Sequence, residues 1–329
     1  MTTFAIMGVG GYVAPKHLAA IKAVGGTLVA AMDPHDSVGR LDQFGYYVKY
    51  FNDFERFERY LELRRATGDQ IDYLVVCSPN YLHDCHIRLG MRTCKNVICE
   101  KPVVITPHNL DAIISHPDYE PGKVSTILQL RVMSGLQEFG ENLKALLAAL
   151  PAHKELDLEL TYITARGEWY DHSWKGDETK SGGLAMNIGV HLFDMLCWML
   201  GPPEWVNTHL RQPRRMSGAI KFPKLMVRWF LSVDIEDVKR AGGTGTSVRR
   251  MDVNKEKKHR GGGTAYELIE RFDFNEGFTD LHTVSYQAIL EEDGFSVEDS
   301  RPAIELVHQI RTEPIGSALW HHSMRHLFK

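Results

Sequence analysis

Through the first third of the chain, short runs of consecutive apolar residues alternate with helical patterns. Thr3–Met7, Thr27–Met32, Tyr73–Cys77 and Asn96–Cys99 are such runs, and runs without polar interruption suit strands covered on both faces of a parallel sheet. Between the first two, Leu18 and Ile21 share one face of a helix that has Pro15 near its start and Gly25-Gly26 as its stop. A further helix is expected over Phe54–Ala66, another around Leu110–Ser115, and a strand over Val124–Arg131. The repeated order of strand and helix is that of βαβ units, which wind doubly into a parallel sheet. The first domain is therefore read as residues 1–130 and the second as 131–329.

Beyond a helix over Gly135–Leu150 the period changes. Alternation in Leu156–Thr164, Leu225–Val233 and Tyr266–Phe274 predicts long, half-buried strands. The second domain is thus expected to be α+β, built on a large, mostly antiparallel sheet. A helix around His191–Leu200 ends at Gly201-Pro202-Pro203. The stretch Lys239–Gly263, rich in Gly, Lys and Arg, reads as a mobile hairpin connection.

Composition narrows the partners. A length of 329 residues exceeds one ordinary core, and 43% apolar with 24% charged residues is the balance of a globular protein. The net charge of -4 lacks the basic excess that nucleic acid would require. Five cysteines, Cys77, Cys85, Cys94, Cys99 and Cys197, form no CxxC pair and read as reduced thiols of a cytoplasmic protein, those from Cys77 to Cys99 in the core. Met1–Gly11 reads as a strand entering a turn, not as a targeting peptide. No apolar run is read as approaching the roughly 18 residues that span a bilayer, so no membrane partner is expected. His321, His322 and His326 could suggest a metal, but they are read as a solvated tail and no metal is assigned.

The candidate chemistry begins at Gly8-Val9-Gly10-Gly11-Tyr12-Val13-Ala14, which follows the first strand and opens a helix. Glycines there let the backbone approach a pyrophosphate at the helix N-terminus. Val13 stands where the Rossmann fingerprint has its third glycine. Asp33 ends the second strand, where a carboxylate accepts hydrogen bonds from the adenosine ribose and repels a ribose phosphate. With Pro34 and His35 following and no adjacent arginine, NAD is the expected cofactor.

Two further segments carry a resemblance: Cys77-Ser78-Pro79-Asn80-Tyr81-Leu82-His83 leading to Glu100-Lys101-Pro102, and Gly182-Gly183 leading to Asn187-Ile188-Gly189-Val190-His191. Together they resemble the glucose-fructose oxidoreductase and inositol dehydrogenase family. The stretches Tyr162–Tyr170, Ser173–Asp177 and Glu276–His282 resemble a bacterial subgroup of that family. The subgroup oxidises the 3-hydroxyl of UDP-N-acetylglucosaminuronate on the way to the diacetamido-uronic acid of a surface polysaccharide such as O-antigen. The resemblance implies cofactor contacts from Gly8, Gly10, Gly11, Tyr12, Val13, Asp33, Ser78, Asn80, His83, Glu100 and Lys101. It implies a cis bond before Pro102 and a homotetramer, and it permits reoxidation of the bound nicotinamide by 2-oxoglutarate.

Removing a hydride from a secondary alcohol needs a base for the hydroxyl proton and a donor for the developing oxygen charge. Lys101 and His191 can share those tasks, and which of them is the base stays open. Asn187, where the family's usual pattern has Asp, cannot act as a base and is expected to hydrogen-bond a sugar hydroxyl. A UDP-uronate carries a diphosphate and a carboxylate, so Arg166 and Lys175 are candidate cations, Trp169 and Tyr170 candidate ring surfaces, and Gln129 a further substrate contact. Two other readings are a dehydrogenase of another sugar or polyol in the family, and a non-catalytic NAD- or sugar-binding regulator.

Overall fold

The computed structural model describes residues 1–36, 38–258, 264–274, 280–316 and 322. Two compact units divide the chain: Met1–Val132 with Asp280–Ile304, and Met133–Thr279 with Glu305–Lys329.

The first unit opens β1 (Thr3–Met7), α1 (Ala14–Ala23), β2 (Thr27–Met32), β3 (Lys49–Phe51), α2 (Phe54–Ala66), β4 (Tyr73–Val76), α3 (His83–Thr93), β5 (Asn96–Cys99), α4 (Pro107–Ile114) and β6 (Val124–Thr126). These strands form a six-stranded parallel sheet in the order β3-β2-β1-β4-β5-β6. Phe4 to Met7, Leu74 to Val76 and Val97 to Cys99 are all buried, so their unbroken apolar runs report a sheet with neither face left to water. The strand order reverses between β1 and β4, which opens a crevice at the carboxyl ends of those strands. Asp53 caps α2 by accepting the Arg56 amide at 2.8 Å, and Thr106 caps α4 through the Asn109 amide at 3.2 Å.

The strand expected over Val124–Arg131 stops at Thr126. Leu128 and Arg131 turn their amides back to the carbonyls of Thr126 and Leu128. Ile127, Leu128 and Leu130 are nevertheless buried, and a buried apolar turn looks like a strand to a reading based on hydrophobicity.

The second unit runs α5 (Ser134–Ala149), β7 (Leu156–Thr164), α6 (Trp169–His172), α7 (Glu178–Ser181), α8 (Val190–Leu200), β8 (Trp205–Arg211), β9 (Arg215–Phe222), β10 (Leu225–Ser232), α9 (Ile235–Arg240), β11 (Ser247–Lys258) and β12 (Thr264–Asp273). Its strands form a six-stranded sheet in the order β12-β11-β7-β10-β9-β8, antiparallel except for the pair β7 and β10. The mostly antiparallel second sheet is the one expected. On one face the buried Trp229 meets Phe193 of α8 with ring centroids 5.3 Å apart. On the other face Arg228 donates to both carboxylate oxygens of Asp157, from Nε at 2.7 Å, and pairs with Glu159 at 3.0 Å. Strand β10 is therefore buried along its whole length, and β7 at every position but Glu159, instead of half-buried.

Much of Lys239–Gly263, expected as a mobile connection, is strand β11, paired on one side to β7 and on the other to β12. Its charges hid it, but several are matched within the sheet: Asp252 accepts from Arg271 at 2.5 Å and pairs with Arg250 at 3.2 Å, and Lys255 pairs with Glu267 at 3.4 Å. Residues 259–263 lie outside the described residues. The helical run Glu178–Leu200 is long and apolar enough to cross a membrane, contrary to the sequence reading, yet 72% of its apolar window is buried within the fold, as befits a core helix.

The chain then returns to the first unit with α10 (Leu281–Leu290), and α11 (Arg301–Thr312) follows. Helix α10 packs along α1, and Tyr286 and Ile289 join the core of Phe4, Ile6, Leu18 and Ile21. The Phe295 carbonyl accepts the Thr126 amide at 2.8 Å beside β6. A single boundary at residue 130 leaves out this return, which a local pattern does not reveal.

Two other expectations change. Cys85 is exposed on α3, whereas Cys77, Cys94 and Cys99 are buried. His322 is not a solvated tail residue: it is buried, its Nε2 is 3.0 Å from the Thr161 hydroxyl, and its ring lies beside Phe230. Burial, with Arg228 and Arg250 nearby, pushes His322 down to about 3. His321 and His326 lie outside the described residues.

Removing one partner of a buried ion pair leaves the other charge unmatched, at a cost of about 3 to 5 kcal/mol. Arg228→Met, which strands Asp157 and Glu159, is expected to lower unfolding free energy by about 3 kcal/mol in denaturant titrations. A midpoint equal to that of the parent protein would show that these carboxylates need no partner.

Candidate active site

The glycine turn is shaped by close backbone approach. Gly8 has φ +87°, and a Cβ there would lie 2.6 Å from the Ser78 amide nitrogen. Only glycine allows both the conformation and the contact between the loops that follow β1 and β4. The Gly10 amide donates to Asp33 Oδ2 at 2.8 Å, and the Gly11 amide to the Gly8 carbonyl at 2.9 Å. Val13, in the third fingerprint position, precedes α1 and packs against the core, while Tyr12 is exposed. Asp33 is buried at the end of β2, and its second oxygen accepts the His35 amide at 2.9 Å. The cradle without side chains and the fixed carboxylate fit a dinucleotide: pyrophosphate over the turn and ribose hydroxyls on Asp33.

Ser78, Asn80 and His83 follow β4, Glu100 and Lys101 end β5, and Gln129 follows β6. Every cofactor candidate named from the sequence thus stands at the carboxyl ends of the parallel strands or in the turns that follow. His83 ties two of these loops together, with Nδ1 2.7 Å from the Pro102 carbonyl and Nε2 2.8 Å from the Ser78 carbonyl. Burial holds its ring below the ordinary histidine range, and a neutral ring donates to one of the two carbonyls at a time. The Lys101–Pro102 peptide bond is cis. Lys101 is half-buried and Gln129 buried.

Sequence reasoning missed what lies beneath Lys101. Glu100 Oε1 accepts from His17 Nε2 at 3.1 Å and from His282 Nε2 at 2.7 Å, and its Oε2 accepts the Lys101 amide at 3.1 Å. His17 Nδ1 is 2.9 Å from the Tyr286 hydroxyl. Burial pushes the Glu100 carboxyl up, but the hydrogen bonds and the electrostatic pull of His17 and His282 together outweigh it and hold it well below the usual range. Burial pushes His17 down against the pull of Glu100. A neutral His17 that donates from Nε2 must accept at Nδ1, so the Tyr286 hydroxyl donates. The donor atoms of His17, Glu100 and His282 lie within 4.8 Å of one another, a spacing that could hold a metal, but the N···O contacts are hydrogen bonds. One signal was available: His17 shares the buried face of α1 with Ile21, and a polar group there demands a partner. Glu276–Thr279, part of the resemblance, lie outside the described residues.

The second unit groups the remaining candidates. Arg166, Trp169 and Tyr170 follow β7, and Lys175 follows α6, its ammonium 4.1 Å above the Trp174 ring. Tyr170 is buried while Trp169 is exposed. Asn187 lies in a π-helical turn, Ala185–Gly189, and donates to the Tyr170 hydroxyl at 3.3 Å. A Cβ at Gly189 would fall 2.8 Å from Leu231, so the turn presses directly on β10. One turn later, the half-buried His191 interrupts the buried residues of α8. Burial pushes the Tyr170 hydroxyl up, against the hydrogen bond from Asn187. Arg214, which the sequence did not single out, donates to the Arg166 carbonyl at 2.8 Å and to Asp171 at 2.6 Å, tying the Arg166 backbone to α6.

Protein-family profiles match the chain in two stretches: an oxidoreductase family, NAD-binding Rossmann fold, over residues 2–125, and the C-terminal alpha/beta domain of that family over residues 154–230. The WlbA (WbpB) dehydrogenase from Thermus thermophilus, in complex with NAD and alpha-ketoglutarate, is 39% identical with a TM-score of 0.84, covering 98% of this chain and 99% of that chain. The same dehydrogenase in complex with NAD and UDP-GlcNAcA is 38% identical with a TM-score of 0.81 and the same coverage, 98% and 99%. A protein of Amycolatopsis mediterranei (strain S699), named as the oxidoreductase subunit of a UDP-kanosamine synthase, is 29% identical over 138 residues, 41% of this chain and 36% of that protein. The chain spans about a third of the length of the curated relatives it matches.

A pH dependence follows from the loop after β4. The Ser78 hydroxyl is 2.8 Å from His86 Nδ1, and burial, then the neighbouring His83, pushes His86 down to about 4. Its unfolded value is about 6.5, so between these limits the native state binds fewer protons than the unfolded chain. The stabilisation is complete above about pH 6.5 and is lost as pH falls through about 4, in total about 3 kcal/mol. His86→Asn, which keeps a polar partner for Ser78, is expected to flatten the fall of the unfolding midpoint over that range. An equal fall in both proteins would assign the proton uptake elsewhere.

Proposed function

This chain belongs to the Gfo/Idh/MocA oxidoreductase family, and from that premise we propose that it oxidises the 3-hydroxyl of UDP-N-acetylglucosaminuronate to a ketone. It is an NAD-dependent oxidoreductase. The observation that carries the substrate is the similarity, over nearly the whole chain, to a dehydrogenase whose complex holds NAD and UDP-GlcNAcA.

NAD, when bound, supplies the hydride acceptor. The glycine turn and Asp33 hold the dinucleotide, with Ser78, Asn80, His83, Glu100 and Lys101 completing that end of the unit. Lys101 and His191 are assigned the two proton tasks: one takes the proton of the 3-hydroxyl as the carbon loses hydride, and the other donates a hydrogen bond to the oxygen as it becomes a carbonyl. Arg166 and Lys175 meet the carboxylate or diphosphate, Trp169 and Tyr170 offer ring surfaces, and Gln129 and Asn187 bond sugar hydroxyls or the acetamido group. We extend the reading to 2-oxoglutarate as a second substrate, reduced to 2-hydroxyglutarate as the cofactor regains its oxidised form. The Thermus complex with NAD and alpha-ketoglutarate supports this. The reading also carries a homotetramer working in the cytoplasm on a precursor of O-antigen.

The test follows absorbance of NADH with a panel of UDP-sugars and UDP-uronates, with and without 2-oxoglutarate. UDP-N-acetylglucosaminuronate is expected to be the preferred substrate, and Lys101→Ala and His191→Ala each to lose about a hundredfold or more in turnover. Preference for another sugar refutes the substrate; near-normal rates in both variants refute the assignment of the two side chains. Asp33→Ala is expected to weaken NAD binding about tenfold or more by calorimetry, and unchanged affinity would remove Asp33 from the site.

A further inference from the structure

His17, Glu100, His282 and Tyr286 are all more than nine-tenths buried, and the proposed chemistry leaves His17, His282 and Tyr286 without a task. An ionised carboxylate in the interior is costly unless its lone pairs are filled. Glu100 has three donors: two imidazole N–H groups on Oε1 and the Lys101 amide on Oε2. Buried charged clusters with a purely structural task are often replaceable by packed apolar side chains. Two features argue for more. The residue that bears the charge directly precedes Lys101 and holds its peptide N–H. The donors come from the two helices that flank it, His17 from α1, which the glycine turn opens, and His282 from α10, for which the chain returns to this unit.

The groups that face this carboxylate leave it as a fixed charge. They are His17 with Lys16 beside it, His282 and Tyr286 of α10, Cys77 after β4, Cys99 and Lys101 on its own strand end, and His83 of α3. Burial raises the Cys77, Cys99 and Tyr286 protons and lowers His17 and His83, so each of these five is neutral near pH 7.

We infer that Glu100, anchored by His17 and His282, is a positioning residue for Lys101: it holds the peptide from which that side chain departs and sets a permanent negative charge next to it. The inference rests on the proposed role of Lys101. Loss of a donor lets the carboxylate turn and carries the Lys101 peptide with it; loss of the charge makes the Lys101 ammonium give up its proton more readily.

The test uses the full chain with NAD and UDP-N-acetylglucosaminuronate. His282→Leu is expected to lower kcat by about ten- to a hundredfold, the cost of a small misplacement, while KM for NAD stays near the parent value. His282→Gln, whose amide N–H replaces the Nε2 donor, is expected to recover most of that loss. Glu100→Gln is expected to move the Lys101-dependent limb of the kcat pH profile to lower pH. A folded His282→Leu enzyme with parental kcat, or a loss that Gln does not restore, overturns the inference. If His282→Leu does not fold, Glu100→Gln decides, and an unmoved limb overturns it. Lys101→Ala runs alongside: if it is active, the reading of Lys101 itself fails. If it is inactive while the other variants behave like the parent, only the positioning role fails.

Discussion

A carboxylate sealed away from water must be given donors, and in the first unit that requirement reaches across three elements. Glu100 stands at the end of β5, His17 on the helix that leaves the glycine turn, and His282 on a helix nearly two hundred residues further along the chain. The hydrogen bonds and electrostatic pull of the two histidines together outweigh the burial of the charge. The second crossing of the chain is thereby part of the first unit's polar interior as well as of its apolar core. Tyr286 serves both, with its ring against Phe4 and its hydroxyl on His17.

The same unit concentrates its chemistry where a parallel sheet must place it. At the reversal of strand order the loops after β1 and β4 come into backbone contact, and Gly8 is what allows them to close. Asp33 then stands within reach of the turn, its carboxylate already accepting two amides, so little motion is left to lose when further donors arrive. His83 and His86 hold the neighbouring loop, the first through two carbonyls and the second through Ser78.

The second unit solves a different problem, a sheet whose central strands are buried on two unlike faces. One face meets α8 through aromatic and aliphatic packing around Trp229. The other carries Asp157, Glu159, Arg228 and Asp252, made tolerable by pairing within the sheet. The π-helical turn ahead of α8 adds a residue to the helical path where it presses on β10. Between Leu184 and Cys197, Asn187 and His191 are the half-buried positions and the others are buried. Extra-residue turns of this kind are often kept where a side chain must be aimed.

Local pattern was enough for much of this. Unbroken apolar runs marked β1, β2, β4 and β5, because a doubly covered strand has no polar positions to offer. The glycine turn and Asp33 were readable because a strand, a tight turn and a helix N-terminus are neighbours along the chain. The period of two marked β7 and β12. What sequence could not determine is what depends on partners far along the chain. Strand β11 looked like a loop since partners for its charges include Glu267 and Arg271 of the adjacent strand, and His322 looked solvated although the sheet buries it. The discontinuous first unit and the donors on Glu100 belong to the same class. Secondary structure follows from the few residues on either side of a position, whereas burial and pairing of a charge follow from whichever segments the fold brings next to it.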